Sequence, residues 1–198
     1  MNTWVLDDEQ KKLIRDKVAK GNRHLVFLYA PGYCNEKKSD PQFITNFTGI
    51  NIEKVKADSP TVMRLTRDIW EQRNYWFQNK LVDPLFAVND KRAEAFGISK
   101  DSSEVLFARK NFSDYTSWFI AIPPADPGIW RYIFSEAHAH EYDSTKDVHY
   151  SGGSILTIHT ADGGDRAIVL KNGKKIELQL PANSTTLLDA ETGENLMR

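Results

Sequence analysis

Three groups of residues in this sequence have side chains whose types and spacing could do chemistry. The first is Cys34, the single cysteine, which follows Tyr33 at the end of the run His24-Leu25-Val26-Phe27-Leu28-Tyr29-Ala30-Pro31-Gly32-Tyr33-Cys34. A cysteine attacks carbonyl carbon only when a histidine or a positive surrounding holds it as thiolate; otherwise it is a small, partly buried spectator. The second is His138-x-His140 with Glu141, Asp143, Asp147 and His149, the densest set of metal-binding residue types in the chain. On a strand edge His138 and His140 would share one face, and His149 on the next strand would complete a three-histidine zinc site. At a helix C-terminus the same histidines only complement the macrodipole. The third is Trp70 with Trp76, set in a charged stretch where an exposed indole would stack on a sugar or on another protein surface.

Other residues of chemical type have structural readings. Trp118 alternates with Phe119 and Ile120 and belongs in a core, and His159 alternates with Ile158 inside a strand. Asp7-Asp8 stands at a helix start and Glu191 with Glu194 in a turn, so capping accounts for them better than paired-carboxylate catalysis. Gly152-Gly153 and Gly163-Gly164 read as hairpin turns, because neither follows a strand and opens a helix as a phosphate loop does.

Composition narrows the classes of function. The 198 residues carry 26 basic and 27 acidic side chains, a net charge of −1, which supplies no field for nucleic acid or anionic lipid. One cysteine excludes an internal disulfide and a multi-cysteine zinc site. No apolar run approaches the ~20 residues of a membrane span, and Met1 to Gln10 lacks the basic and apolar regions of a signal peptide. The compartment stays open between cytoplasmic and, for a piece of a secreted enzyme, periplasmic or extracellular.

The elements that must position these groups follow from patterning. Leu6, Leu13, Ile14 and Val18 mark one amphipathic helix, capped at Asp7 or Asp8 and stopped at Gly21. The continuous apolar run after it reads as a strand buried on both faces, the centre of a parallel sheet, with its site at the carboxyl end. A second helix runs from Pro41 to Gly49, then a strand over Ile50–Val55. Asp58 to Asp83 reads as irregular or edge-strand structure, Pro84–Val88 as a strand and Ala93–Gly97 as a brief helical turn. Glu104–Lys110 and Tyr115–Ile122 are two strands that should pair, and Pro127 opens a helix to about Ala139. Beyond a boundary near Asp143–Asp147, short strands from Val148 to Asp189 alternate with Gly-Gly, Asp-Gly-Gly and Asn-Gly turns, the signature of a small all-β domain.

In this order the segments LVFLYAPGYCNEKKSDPQFITNFTGI, DPLFAVND, AEAFGI, VLFARKNFSDYTSWFIAIPP, EAHAHEYDSTKDVHYSGGSILTIHT and DAETGENL resemble the C-terminal half of large bacterial glycoside hydrolases related to β-galactosidases. The resemblance implies an α/β fold for residues 1–143, a flavodoxin-like parallel sheet with flanking helices, similar to the β-galactosidase trimerisation domain and to class I glutamine amidotransferases. That domain would be N-terminally truncated, and residues 144–198 would form a small antiparallel β-sandwich-like domain. The glycosidase barrel with its catalytic carboxylates has no counterpart here. The implied role is therefore a non-catalytic accessory and assembly region with no cofactor, whose partners are a second copy of the chain or an upstream glycosidase domain. Two alternatives stand beside it: a carbohydrate-binding module using exposed tryptophans, and a Cys34-dependent amide hydrolase. Against the latter, Gly32-Tyr33-Cys34-Asn35-Glu36 lacks the small residue that follows an amidotransferase nucleophile, and no His-x-Glu dyad is visible downstream.

Overall fold

The protein is seen in a computed structural model that describes residues 3–69, 74–76, 80–122 and 127–197. It divides into two compact units, Met1–Tyr132 and Ile133–Arg198, with the division falling inside a helix.

The first unit opens with α1 (Asp8–Lys17). Asp7 caps it: its carboxylate accepts the Gln10 amide at 2.7 Å while the Gln10 side chain accepts the Asp7 amide at 3.2 Å, a reciprocal capping box. Asp8 and Glu9 in the first turn and Arg15 and Lys17 in the last complement the macrodipole. The helix leads into β1 (Arg23–Leu28). α2 (Pro41–Thr48) starts from Asp40, whose carboxylate accepts the Gln42 amide, and stops at Gly49, where φ is 74°. α2 packs Ile44 and Phe47 inward, with the Phe47 ring 5.1 Å from that of Phe27 on β1.

The sheet departs from expectation. Its strands are β1, β2 (Ile52–Val55), β3 (Val62–Leu65), β4 (Asn74–Trp76), β5 (Leu85–Val88), β6 (Glu94–Ser99), β7 (Val105–Asn111) and β8 (Tyr115–Ile120). Their order is β1-β8-β7-β6-β3-β4, with β5 also pairing β7 and β2 pairing β5. Only β1 and β8 run parallel; every other pair among these strands is antiparallel. The sheet curls into a mixed half-barrel, and strand outweighs helix 39% to 15%, so the flavodoxin-like parallel sheet with flanking helices is not the fold. Connection length is the reason. A parallel crossover needs a dozen or more residues, whereas β6 to β7 and β7 to β8 are joined by short links that permit only antiparallel return between neighbours.

Two local expectations change with it. Ala93–Gly97 is not a helical turn: Glu94 pairs with Arg109 and Ala95 with Ala108 in a bulged antiparallel ladder, so pairing with β7 overrides local propensity. β1 is not a central strand buried on both faces. It ends the described sheet, and along it Leu25 and Phe27 are buried while His24, Val26 and Leu28 are half-buried. The core lies against β5, β7 and β8, where Phe86, Phe96, Leu106, Phe107, Trp118 and Phe119 are fully buried.

A buried ion pair ties this unit together. Lys110 on β7 donates to Asp90 and to the Gly49 carbonyl, both at 2.6 Å. Asp90 also accepts the amides of Asn51 and Arg92. Burial works to raise the Asp90 pKa, but these hydrogen bonds outweigh it and hold the carboxyl below its ordinary range.

α3 (Pro127–Glu136) carries the chain into the second unit. There β13 (Ser184–Asp189), β10 (Ile155–Thr160) and β9 (Val148–Gly152) form one antiparallel sheet in that order, and β11 (Gly164–Val169) pairs with β12 (Lys175–Leu180) in another. Alternating side chains from both meet in a core of Tyr142, Leu156, Ile158, Ile168, Leu170, Leu180 and Leu188.

Candidate functional site

The carboxyl end of β1 is shaped by aromatic packing. Tyr29 closes the strand with φ at 62°, a left-handed conformation that an aromatic residue adopts only when its surroundings enforce it. Its hydroxyl donates to the Pro84 carbonyl at 2.8 Å, and its ring lies 5.2 Å from Trp4 and 5.6 Å from Phe86. Burial, then the Asp83 charge, raises the Tyr29 pKa, so the hydroxyl stays a donor. Tyr33 joins the same cluster, 4.9 Å from Phe86 and 6.4 Å from Trp4.

Cys34 sits beside this cluster in extended backbone. Its amide donates to the Trp4 carbonyl, and it bridges Val5 in parallel and Ser39 in antiparallel sense. α2 begins seven positions later at Pro41, so Cys34 is not at a sharp strand-to-helix turn. The thiol is half-buried, and the strained backbone of this region is at Tyr29. Gly32, with φ at 66°, passes close over Lys11, where a Cβ would come within 2.8 Å of the lysine Cε. The arrangement brings the end of β1 close to Lys11 of α1 and leaves Tyr33 half-buried and Trp4 exposed.

The histidines lie apart from the β1 site in sequence, in the second unit. His138 takes a left-handed conformation just after α3, with φ at 51°. His140 Nε2 is 2.7 Å from the Val169 carbonyl, and its ring meets Tyr142 edge-on at 4.7 Å. His149 on β9 stacks on Tyr142 at 5.8 Å, with Nε2 3.1 Å from Asp143. An aromatic ring thus lies in contact with both His140 and His149. Among the described residues no three His, Cys, Asp or Glu side chains form a group able to hold a metal ion.

Of these histidines, His149 instead pairs with a buried acid, Asp143. Asp143 is nearly fully buried and accepts from the Thr145 amide at 2.8 Å and hydroxyl at 2.7 Å, besides its contact with His149. Burial would raise its pKa, but the hydrogen bonds from His149 and Thr145 lower it on balance. Asp147 is held low mainly by Arg166, whose Nε and Nη2 grip the carboxylate in a fork at 2.5 and 3.3 Å; Nη2 also reaches the Thr160 hydroxyl. His159, on β10, contacts the Thr185 hydroxyl across the strand pair.

Trp118 is fully buried among Phe96, Phe107 and Tyr132, and its indole donates to His24 Nδ1 at 3.2 Å. Trp70 and the side chain of Trp76 lie outside the described residues, although the Trp76 backbone pairs with Val62 on the edge strand β4. Sequence reasoning missed a cluster beside this core. Arg67 and Arg109 both bind Glu94 at 2.5 Å and both lie over the Phe96 ring, at 4.5 and 5.2 Å. Burial opposes ionisation of Glu94, and the two arginines lower its pKa all the same. The Glu94–Arg109 contact follows from their direct pairing across β6 and β7, which the helical reading of Ala93–Gly97 concealed.

No protein-family model matches the sequence, and no curated protein matches it significantly. Among solved structures, the chain is similar to the polyextremophilic β-galactosidase of the Antarctic haloarchaeon Halorubrum lacusprofundi, at 11% identity and a TM-score of 0.58. The match takes in 97% of this chain and 31% of that one, so the chain spans less than a third of the length of that enzyme. At this identity the likeness concerns the fold. Among the described residues no helix is long and apolar enough to cross a membrane.

Proposed function

We propose that this chain is a non-catalytic accessory and assembly region of a glycoside hydrolase related to β-galactosidases. One observation carries the non-catalytic half of the reading. Glycoside hydrolysis needs a carboxylic acid whose pKa is raised so that it can protonate the leaving oxygen. The acids tied into the structure are engaged the other way: Asp90 is bound by Lys110, Glu94 by Arg67 and Arg109, Asp143 by His149 and Thr145, and Asp147 by Arg166, contacts that favour the ionised carboxylate. These acids fasten strands and loops together. The fold likeness to part of a β-galactosidase supports the rest.

The assembly half rests on α1. Its one fully buried residue is Lys11, while Leu13 on the helix and Val18 at its C-cap are 58% and 41% exposed. Apolar side chains left outward on a short helix suit contact with another protein surface. Size exclusion with light scattering tests this. Self-association that rises with concentration and is lost in Leu13→Asp/Val18→Asp is the expected result, and a strict monomer at high concentration overturns the assembly role. Hydrolysis of aryl β-galactosides by the purified chain would overturn the non-catalytic one.

A further inference from the structure

A pocket of about 170 Å³ is lined by the loop from β2 to β3 and the loop from β6 to β7, with Leu85 of β5. Ser59 on the first loop donates to Asp101 on the second at 3.1 Å, and the Ser99 amide donates to the Glu104 carbonyl at 2.8 Å. Lys56 and Asp58, both well exposed, pair with each other at 2.6 Å. Two lining groups differ from these. Thr61 is 5% exposed, and its hydroxyl has no hydrogen-bond partner among the described residues. The Oε2 atom of Glu104 is likewise buried without one. Buried polar atoms are nearly always satisfied by protein, ordered water or ligand, so two such atoms lining one pocket mark where a small hydroxylated molecule, replacing water, would bond.

The lining selects its chemistry. Asp58, Asp101 and Glu104 face a single lysine, Lys56, so an anion is repelled. No three acidic side chains here converge as a metal-binding group. An ammonium could donate to Glu104 and to the Thr61 oxygen, yet it would leave the Thr61 hydroxyl hydrogen without an acceptor. A ligand hydroxyl both donates and accepts, and two adjacent hydroxyls satisfy both protein groups. The volume lies below the roughly 300 Å³ at which sites for drug-sized ligands begin, so the pocket takes one small ring or chain.

We infer that this pocket binds a single neutral polyhydroxylated unit, a monosaccharide or a polyol, through hydrogen bonds from neighbouring hydroxyls to Glu104 and Thr61. The inference stands apart from the assembly role and does not involve the tryptophans. Few hydrogen bonds in a small, open pocket give weak binding, in the millimolar range. Saturation-transfer NMR and chemical-shift titration with galactose, glucose, xylose and mannitol read it directly on the full chain. Saturable binding of at least one of them is expected. Thr61→Val, which keeps the shape and removes an unbonded hydroxyl, should melt no lower than the parent and bind roughly three- to tenfold more weakly, as should Glu104→Gln. Absence of binding by all four, or binding unchanged in both variants, overturns the proposal. So does preference for methylammonium or calcium over every polyol.

Discussion

Replacing Asp90 by alanine is the sharpest probe of the first unit. The side chains of Asp90 and Lys110 are only 8% and 7% exposed, so the variant leaves an ammonium buried with the Gly49 carbonyl as its remaining strong acceptor. Removing one partner of a buried pair in this way costs about 3–5 kcal/mol. Lys110→Met should cost less, about 1–3 kcal/mol, because Asp90 keeps the amides of Asn51 at 3.2 Å and Arg92 at 3.0 Å. The double variant leaves no buried charge and should be more stable than Asp90→Ala alone. Urea unfolding followed by tryptophan fluorescence measures this cleanly, since all five tryptophans, Trp4, Trp70, Trp76, Trp118 and Trp130, fall in Met1–Tyr132. Far-ultraviolet circular dichroism on the same samples detects any separate transition of the second unit. A cost below about 1 kcal/mol for Asp90→Ala, the range of exposed pairs, would refute the reasoning. A double variant no more stable than the single would refute it equally.

Acid should weaken both units for a reason with a definite sign. Asp90, Asp143 and Asp147 have folded pKa values lowered from the ordinary value, so their contribution is present above the unfolded pKa of about 4 and lost as pH falls through the folded values. Melting temperatures taken from pH 7 downward should fall below about pH 4, and Asp147→Asn should flatten that fall; a curve identical to the parent's would be contrary. Gly163→Ala should destabilise the second unit by roughly 2 kcal/mol or more, because its Cβ would meet backbone of Ala182 at 2.5 Å and φ is already 66°. Gly173→Ala, with open space around it, should cost about 1 kcal/mol from its positive φ alone, and an equal cost at the two sites in chemical unfolding would contradict this. Equilibrium dialysis should retain no zinc, since His140 and His149 are engaged with Val169, Asp143 and the Tyr142 ring; retention abolished by His149→Ala would restore the three-histidine site.

Local chemistry was legible wherever a few neighbouring residues decide the outcome. A cap at Asp7 or Asp8, Pro41 at the first turn of α2 and Gly49 at its end are read from residue type, as are the paired strands β7 and β8, although α1 stops at Lys17 and not at Gly21, and its cap is Asp7. Sheet direction was not, because a buried apolar run has the same appearance in a parallel and an antiparallel sheet. Loop length between Ser99 and Tyr115 held the missing information, and it was obscured by reading Ala93–Gly97 as helix. The candidate sites fared by the same rule. Trp118 was placed in the core by alternation. The pairing of His149 with Asp143, the contact of Tyr142 with His140 and His149, and the Arg67–Glu94–Arg109 cluster depend on strand register, which spacing in one chain does not encode.

The parallel joint of β1 with β8 also sets an order of events during synthesis. Arg23 pairs with Tyr115 and Leu28 with Ile120, partners about ninety residues apart along the chain, while β5 to β8 find neighbours within a short span. The emerging chain therefore displays the apolar β1 segment throughout the several seconds, at ordinary translation rates, before β8 leaves the ribosome. The local meander of β6 to β8 has the low loop-closure cost, and β1 must wait for β8 to dock on its edge. Leu25 and Phe27, buried in the folded unit, stay without their β8 partners until synthesis has passed Ile120.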